Sequence, residues 1–381
     1  MSGERRTLHI HIGTPKSGTT FLQGALSTNR KLLRRAGFLY PGRNPGHFEE
    51  AMSLRESGFR GHWHPRAEGA WGRVVEEVHG FDGPALISHE ILGSSDRTTL
   101  ERARDSFPDH DVTIVITCRD LGRQLPAVWQ EGIKNGNVGR YADFLGAAFD
   151  GWEGASTRHG VWGAQNVAAL ADHWGQVFGH DKVTLVTVPP SGSDPDALWQ
   201  RFAAAVGLPD LQYAVADTPG NPSLGTVETE LLRRVTTALP DDLPWPQHSR
   251  LVKRRFAQRR LVRFREGGML GVPEDRQQPL REMSDAIVED LRAHGYALHG
   301  DLADLEPSFR ADGTLPDEVG DGQLLALALH VLVSMILEDP RTTRQRPGAP
   351  SGQRTASPAG DGSQGHALGR ALARVRRVGR S

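Results

Sequence analysis

The sequence predicts an α/β fold in three layers, a central parallel sheet flanked by helices, with a helical C-terminal part. Two observations carry this. Four short runs rich in β-branched residues, at 7–12, 84–88, 112–117 and 183–188, are each bounded by turn or polar residues. Amphipathic helical patterns separate them, at 19–35, 68–78, 96–106, 125–134 and 164–178. Strand alternating with helix is the signature of βαβ units, whose parallel sheet is covered on both faces. After the fourth run the pattern turns helical, at 196–206, 225–239, 280–294 and 323–337. Two stretches dense in Pro, Gly and charge, 240–249 and 266–279, read as irregular, as does the region around 42–66. Long irregular segments in a compact domain tend to be lids or binding loops.

The 381 residues are 38% apolar and 24% charged, enough for a sizeable core. Lys plus Arg (45) nearly cancels Asp plus Glu (46), so bulk charge argues for no nucleic-acid partner. That balance is an average. Residues 340–381 hold nine Arg and one Asp, a net of +8, which leaves −9 on residues 1–339. The division predicts one α/β domain over 1–339 and a basic, disordered tail over 340–381, too rich in Arg, Gly, Pro, Ser and Gln to bury a core. Within the tail Leu368, Leu372, Val375 and Val378 recur at helical spacing between arginines, a pattern able to fold on an anionic membrane surface. A solvated tail is the plainer expectation.

The single cysteine, Cys118, excludes an intrachain disulfide framework and any multi-Cys metal site. The N-terminus shows no apolar core of a signal peptide, and the apolar stretch 324–337 is too short to span a bilayer. We therefore expect a cytoplasmic protein in which that stretch is a buried helix. Nearly all the basic residues are Arg, as in GC-rich, bacterial-like coding sequences. The only lysines are Lys16, Lys31, Lys134, Lys182 and Lys253, so the place of each is informative.

One of them lies in the most telling segment, Gly13, Thr14, Pro15, Lys16, Ser17, Gly18, Thr19 and Thr20, which follows the first strand and opens a helix. A strand–loop–helix junction is a phosphate cradle. Glycines permit tight turns, and the amides at the helix N-terminus point at an anion. Ser17, Thr19 and Thr20 add hydroxyls and Lys16 a mobile charge. In the nucleotide-triphosphatase loop, by contrast, Lys follows the last Gly and the next hydroxyl binds Mg²⁺. Here Lys16 precedes Gly18 by two residues, so no obligatory metal is expected.

The segment Thr14 to Thr20 resembles the 5′-phosphosulfate loop of sulfotransferases that use 3′-phosphoadenosine 5′-phosphosulfate (PAPS). The resemblance is strong over 7–36 and looser to about residue 240. It implies a three-layer P-loop-like fold, PAPS as co-substrate, and transfer of its sulfuryl group to a hydroxyl or amine of a carbohydrate or small metabolite. It also implies that Thr14, Pro15, Lys16, Ser17, Gly18, Thr19 and Thr20 bind the phosphosulfate, with Lys16 stabilising charge on the bridging oxygen. A strand-end Arg in that family binds the 3′-phosphate together with a Ser about eight residues on. Arg119 occupies the first position; the second is Ala127, a departure for which Arg123, Gln124 and a main-chain amide are the candidate substitutes. The family's base lies near the end of another strand, where this chain has Ser88, His89 and Glu90. Adjacent residues on extended backbone point oppositely, so one of the two would face the cleft. Glu90 as base with His89 orienting or touching substrate is preferred; the reverse stays open. Lys253, Arg254 and Arg255 stand where the family has a late basic loop, although its Arg-Lys-Gly order is absent.

Two other readings of the same residues stay open. One is a P-loop small-molecule kinase or triphosphatase. The other is a non-catalytic nucleotide-binding protein on the same scaffold, suggested by Ala127. Weaker signals add little. His9 with His11, and His62 with His64, have the spacing of paired ligands, but no carboxylate or Cys at metal spacing accompanies them. Trp63 suits the wall of an acceptor site, and Cys118 reads as a buried strand thiol. Asn221 or Ser223 is the expected cap of the helix that follows.

Overall fold

Leu8 and Ile10 alternate with His9 and His11 along β1 (Arg6–His11), and all four are buried because helices cover both faces of the sheet. The computed structural model describes residues 5–152, 160–215, 223–265 and 267–337. Its sheet continues with β2 (Ala85–Ser88), β3 (His110–Cys118), β4 (Val183–Thr187) and β5 (Ala297–His299). All five strands are parallel, in the order β2-β1-β3-β4-β5. Ile10 lies opposite Ile87 of β2 and Ile114 of β3, which sets the register of the centre. The chain leaves β1 for β2 on one side and then returns to β3 on the other. Winding therefore reverses between β1 and β3, and a crevice opens beyond their C-terminal ends.

Two cores fill the spaces between sheet and helices. Leu8, Ile10, Ile87, Ile114 and Leu185 pack on one face against Leu125, Trp162 and Trp174. Leu86, Val115 and Val186 pack on the other against Leu22, Leu26, Trp199 and Phe202. This is the three-layer α/β arrangement that the alternation predicts.

The differences from the sequence reading have local causes. The fifth strand is three residues long, without β-branched residues and largely exposed, so periodicity gives no sign of it. The helical pattern 19–35 forms two helices, Thr19–Thr28 and Arg30–Arg35. Asn29 divides them, bonding the carbonyls of Ala25 (2.8 Å) and Ala214 (3.1 Å). Asn166 likewise divides Trp162–Gln165 from Val167–Phe178 and caps the second helix through Ala169 N. Helix Leu121–Lys134 begins four residues before the expected 125, at the cap Asp120, and carries Pro126 within it. Helix Glu274–His294 likewise runs through Pro279 and shortens the irregular stretch 266–279. The region around 42–66 contains helix Phe48–Arg55, and beyond 240 helix Trp245–His248 runs into a π-helix, Ser249–Ala257.

Helix Asp321–Leu337 corrects another expectation. Leu324, Leu327 and Val331 face inward, but Leu325 (62% exposed) and Ile336 (64%) face out. It packs one face on helix Thr226–Thr237 and is not a buried helix. Among the described residues no helix is long and apolar enough to cross a membrane. The tail 340–381, Asn221 and Pro222 lie outside the described residues.

Candidate active site

β1 leads directly into the loop, which β3 holds from beneath. Ile12 N and Thr14 N donate to the carbonyls of Val115 (3.0 Å) and Thr117 (2.8 Å). Gly13 is required by crowding: a Cβ there would meet Thr117 Oγ1 at 2.2 Å and Thr19 Cγ2 at 2.6 Å. The chain then turns through two left-handed residues, Lys16 (φ 73°) and Gly18 (φ 87°). For Gly this is cheap; for Lys it is strain of the kind found at ligand clamps. Gln124 Nε2 holds Pro15 O (2.9 Å) and Arg119 Nη1 holds Lys16 O (3.3 Å), turning these carbonyls away from the helix that follows. Helix Thr19–Thr28 has Gly18 as cap, no side-chain bond to its first amides and no acid in its first turn. Those amides lack intrahelical partners, so the junction favours an anion.

The loop hydroxyls divide the work in a way the sequence does not reveal. Ser17, fully buried, donates to Thr14 O (2.6 Å) and bonds Thr117 Oγ1 (2.7 Å). It builds the loop, and the expectation that its hydroxyl meets a ligand is corrected. Thr14 is buried too, accepting from Gln124 Nε2 at 2.7 Å. Thr20 is exposed.

A buried polar chain runs from Ser17 to the end of β2. Ser17 must donate to a carbonyl, so Thr117 donates to Ser17, and His11 Nε2–H donates to Thr117 Oγ1 (3.1 Å). His11 Nδ1 accepts from Ser88 Oγ (2.8 Å), and Gln23 Nε2 donates to Ser88 Oγ (3.3 Å) and to Glu90 Oε2 (3.4 Å). Burial pulls His11 down to about 3, so the ring stays neutral, as this chain of donors requires. His9 Nδ1 is likewise engaged, with Thr113 (2.7 Å), and both nitrogens of His11 are taken.

Glu90 thus hangs beside the loop, also bonded by the Thr19 side chain. Burial raises its pKa, but His89, its own amide, Gln23 and Thr19 outweigh that and hold the carboxyl below its ordinary value. His89 Nδ1 lies against the Ile91 amide (3.2 Å) and 3.8 Å from Glu90 Oε2. From His89 a row of rings leads outward: Phe48 (5.3 Å between centroids), Phe59 (5.7 Å from Phe48) and Trp245 (5.3 Å from Phe59). These come from the stretches that read as irregular. Trp63, the aromatic singled out in the sequence, is 38% exposed and outside this row.

Arg119 leaves the end of β3 on the far side of the loop. Its Nε is buried without a hydrogen-bond partner, and burial together with Arg123 pulls its cationic form down to about 10. It opens onto a depression shared with Arg123, Ala127, Ser223, Ser308 and Arg310. Ser308 and Arg310 have no sequence signal. They arrive because the buried Asp120 carboxylate accepts both Arg123 N (3.0 Å) and Ser308 N (3.1 Å), besides pairing with Arg123 Nε. Asp120→Ala should lower unfolding free energy by about 3–5 kcal/mol, because it strands the Arg123 charge. Urea denaturation measures this, and a loss under about 1 kcal/mol would contradict it.

The Lys16 ammonium meets Glu131 Oε2 at 2.5 Å. Lys253 reaches Glu131 Oε1 at 2.7 Å, and Lys134, almost fully buried, stands 4.0 Å from Oε2. Three of the five lysines converge on one carboxylate. Burial would raise Glu131, but Lys16, Lys253 and Lys134 outweigh it and hold it well below the carboxylate range. Lys134 is pulled down to about 8, chiefly by burial. Of the late basic stretch only Lys253 turns to the loop; Arg254 and Arg255 are exposed. Cys118 is buried, donating to Val186 O (3.7 Å) and pushed up to about 12 by burial, so it is a strand thiol. Among the described residues Asp172, His180 and His294 bring three metal-capable atoms within 4.8 Å of one another, and no ion is present there.

No protein-family model matches the chain, and no curated protein does. Among solved structures it is similar to a sulfotransferase from Alicyclobacillus acidocaldarius, with 18% identity and a TM-score of 0.39 over 57% of this chain and 87% of that one.

Proposed function

We propose that the chain is a sulfotransferase with PAPS as donor and a hydroxyl or amine of a carbohydrate or small metabolite as acceptor. The observation that carries this reading is the loop itself. A helix N-terminus without a side-chain cap stands at the β1/β3 switch point, with Lys16 on one flank and the Arg119 guanidinium, whose Nε has no partner, on the other. When bound, PAPS supplies an activated sulfuryl group on a phosphate leaving group. The loop amides and Lys16 bind and neutralise the phosphosulfate end, which is what charge transfer to a leaving oxygen asks of a protein. The cradle fits such a group. Gly18 combines a left-handed backbone (φ 87°) with close packing on Leu198, whose Cδ2 a Cβ would meet at 2.5 Å, so only glycine fits this turn.

Arg119 would clamp the 3′-phosphate from the wall of the depression it lines. Ala127 shares that depression, and Ser308 and Ser223 line it too, so the hydroxyl missing at residue 127 has replacements across the space. The loop has Thr19 where a triphosphatase loop has the Lys that follows its last Gly, which argues against the triphosphatase reading.

Glu90 is the proton acceptor the geometry favours. It is held ionised beside the loop, whereas His89 Nδ1 is occupied by the Ile91 amide. The aromatic row Phe48, Phe59 and Trp245 would form the acceptor's wall. Glu90→Gln should reduce acceptor-dependent release of 3′,5′-ADP from PAPS about 10²–10⁴-fold, leaving 3′,5′-ADP binding within about twofold. Because a base must be ionised, the wild-type rate should fall with decreasing pH only below the ordinary carboxylate range, and Glu90→Gln should lose that acid limb. Unchanged turnover in Glu90→Gln, with the limb lost in His89→Ala instead, would transfer the role to His89.

A further inference from the structure

We propose that the Glu131 carboxylate and the donor's sulfuryl group compete for the same two ammonium groups, Lys16 and Lys253, so that Glu131 is an internal counter-ion which the donor displaces. The inference rests on the function proposed above.

Each Glu131 oxygen is taken by a different lysine, Oε2 by Lys16 at 2.5 Å and Oε1 by Lys253 at 2.7 Å. Two ammonium groups arranged around the short oxygen pair of a carboxylate are equally arranged for a pair of oxygens on one sulfur. The lysines reach this point from the phosphate loop and from the π-helix Ser249–Ala257, and Glu131 projects from helix Leu121–Lys134. Neither lysine sits on ordinary backbone. Lys16 has φ 73°, and single π-helical segments recur at functional sites.

Charge points the same way. Lys16, Lys253, Lys134 and Glu131 together carry +2, with Lys134 almost fully buried and the other three side chains about one-fifth exposed. Like charges so close in a poorly hydrated place repel strongly. Glu131 offsets part of this repulsion, and an incoming anion would offset more of it. Lys253 is also tethered to Asn135 Oδ1 at 2.7 Å, which keeps its ammonium in place whichever anion it serves.

The competition is specific to the sulfuryl group. A nucleotide that lacks it leaves Glu131 with both lysines; one that carries it must take them. Once the sulfuryl group has gone to the acceptor, Glu131 retakes the pair while 3′,5′-ADP is still bound. The difference between the two affinities reads the competition directly.

The test is calorimetric titration of wild type, Glu131→Gln and Lys253→Met with PAPS, without acceptor, and with 3′,5′-ADP. Glu131→Gln keeps the side chain's shape and removes its charge. It should tighten PAPS about 10-fold and change 3′,5′-ADP less than about twofold, the loss of one charged competitor. Lys253→Met should weaken PAPS about 10-fold with the same indifference to 3′,5′-ADP, and it decides the matter if Glu131→Gln folds poorly. Parallel changes for both nucleotides, or PAPS binding unchanged or weakened in Glu131→Gln, would overturn the proposal. Wild type binding neither nucleotide would instead overturn the function on which it rests.

Discussion

Replacing Lys16 by alanine is expected to slow acceptor-dependent release of 3′,5′-ADP from PAPS about 10³-fold while leaving the melting temperature nearly unchanged. The catalytic loss follows from the lysine's place on the loop that leads into the uncapped helix N-terminus. The small stability effect follows from Glu131, which loses one partner but keeps Lys253 at 2.7 Å, so no buried charge is stranded. Substantial residual transfer by a folded Lys16→Ala protein would remove Lys16 from the chemistry. A large drop in melting temperature would show that its pairing with Glu131 serves the fold instead.

The second large effect is on binding. Arg119→Ala should weaken 3′,5′-ADP about 100-fold, the loss of about two charge-assisted hydrogen bonds to one phosphate. The wild-type guanidinium makes one long bond, to Lys16 O at 3.3 Å, and leaves Nε without a partner. Little folding energy is therefore tied to it. Burial and Arg123 already act against its charge, and a dianionic phosphate in the shared depression would reverse that. An unchanged dissociation constant would take the 3′-phosphate away from Arg119.

Much of this was visible in the sequence because it is local. The first four strands announce themselves by composition within runs of five or six residues, and the loop 13–20 by residue order next to a strand. Arg119 follows from its place at a strand end. The rest depends on residues far apart in the chain. Glu131 lies 115 residues from Lys16 and 122 from Lys253, and nothing in helix Leu121–Lys134 marks one acid as the meeting point of three lysines. Ser308 reaches the Arg119 depression only because Asp120, 188 residues earlier, binds its amide. Ser17 shows the opposite failure. Its motif position suggests a ligand hydroxyl, and only the packing against Thr14 and Thr117 shows that it faces inward. The proposed preference for Glu90 over His89 rests on one backbone bond, from Ile91, that no side-chain pattern encodes.

The central claim is that the crevice between β1 and β3 recognises a nucleotide phosphorylated at both the 5′ and 3′ positions. Parallel titrations of the wild-type protein with 3′,5′-ADP, 5′-AMP and ATP with Mg²⁺ test it most directly. The expected result is 3′,5′-ADP bound about 100-fold more tightly than 5′-AMP, the share assigned to Arg119 and its neighbours, with ATP and Mg²⁺ no better than 5′-AMP. Equal affinity for 3′,5′-ADP and 5′-AMP, or tight binding of ATP with Mg²⁺ alone, would contradict it.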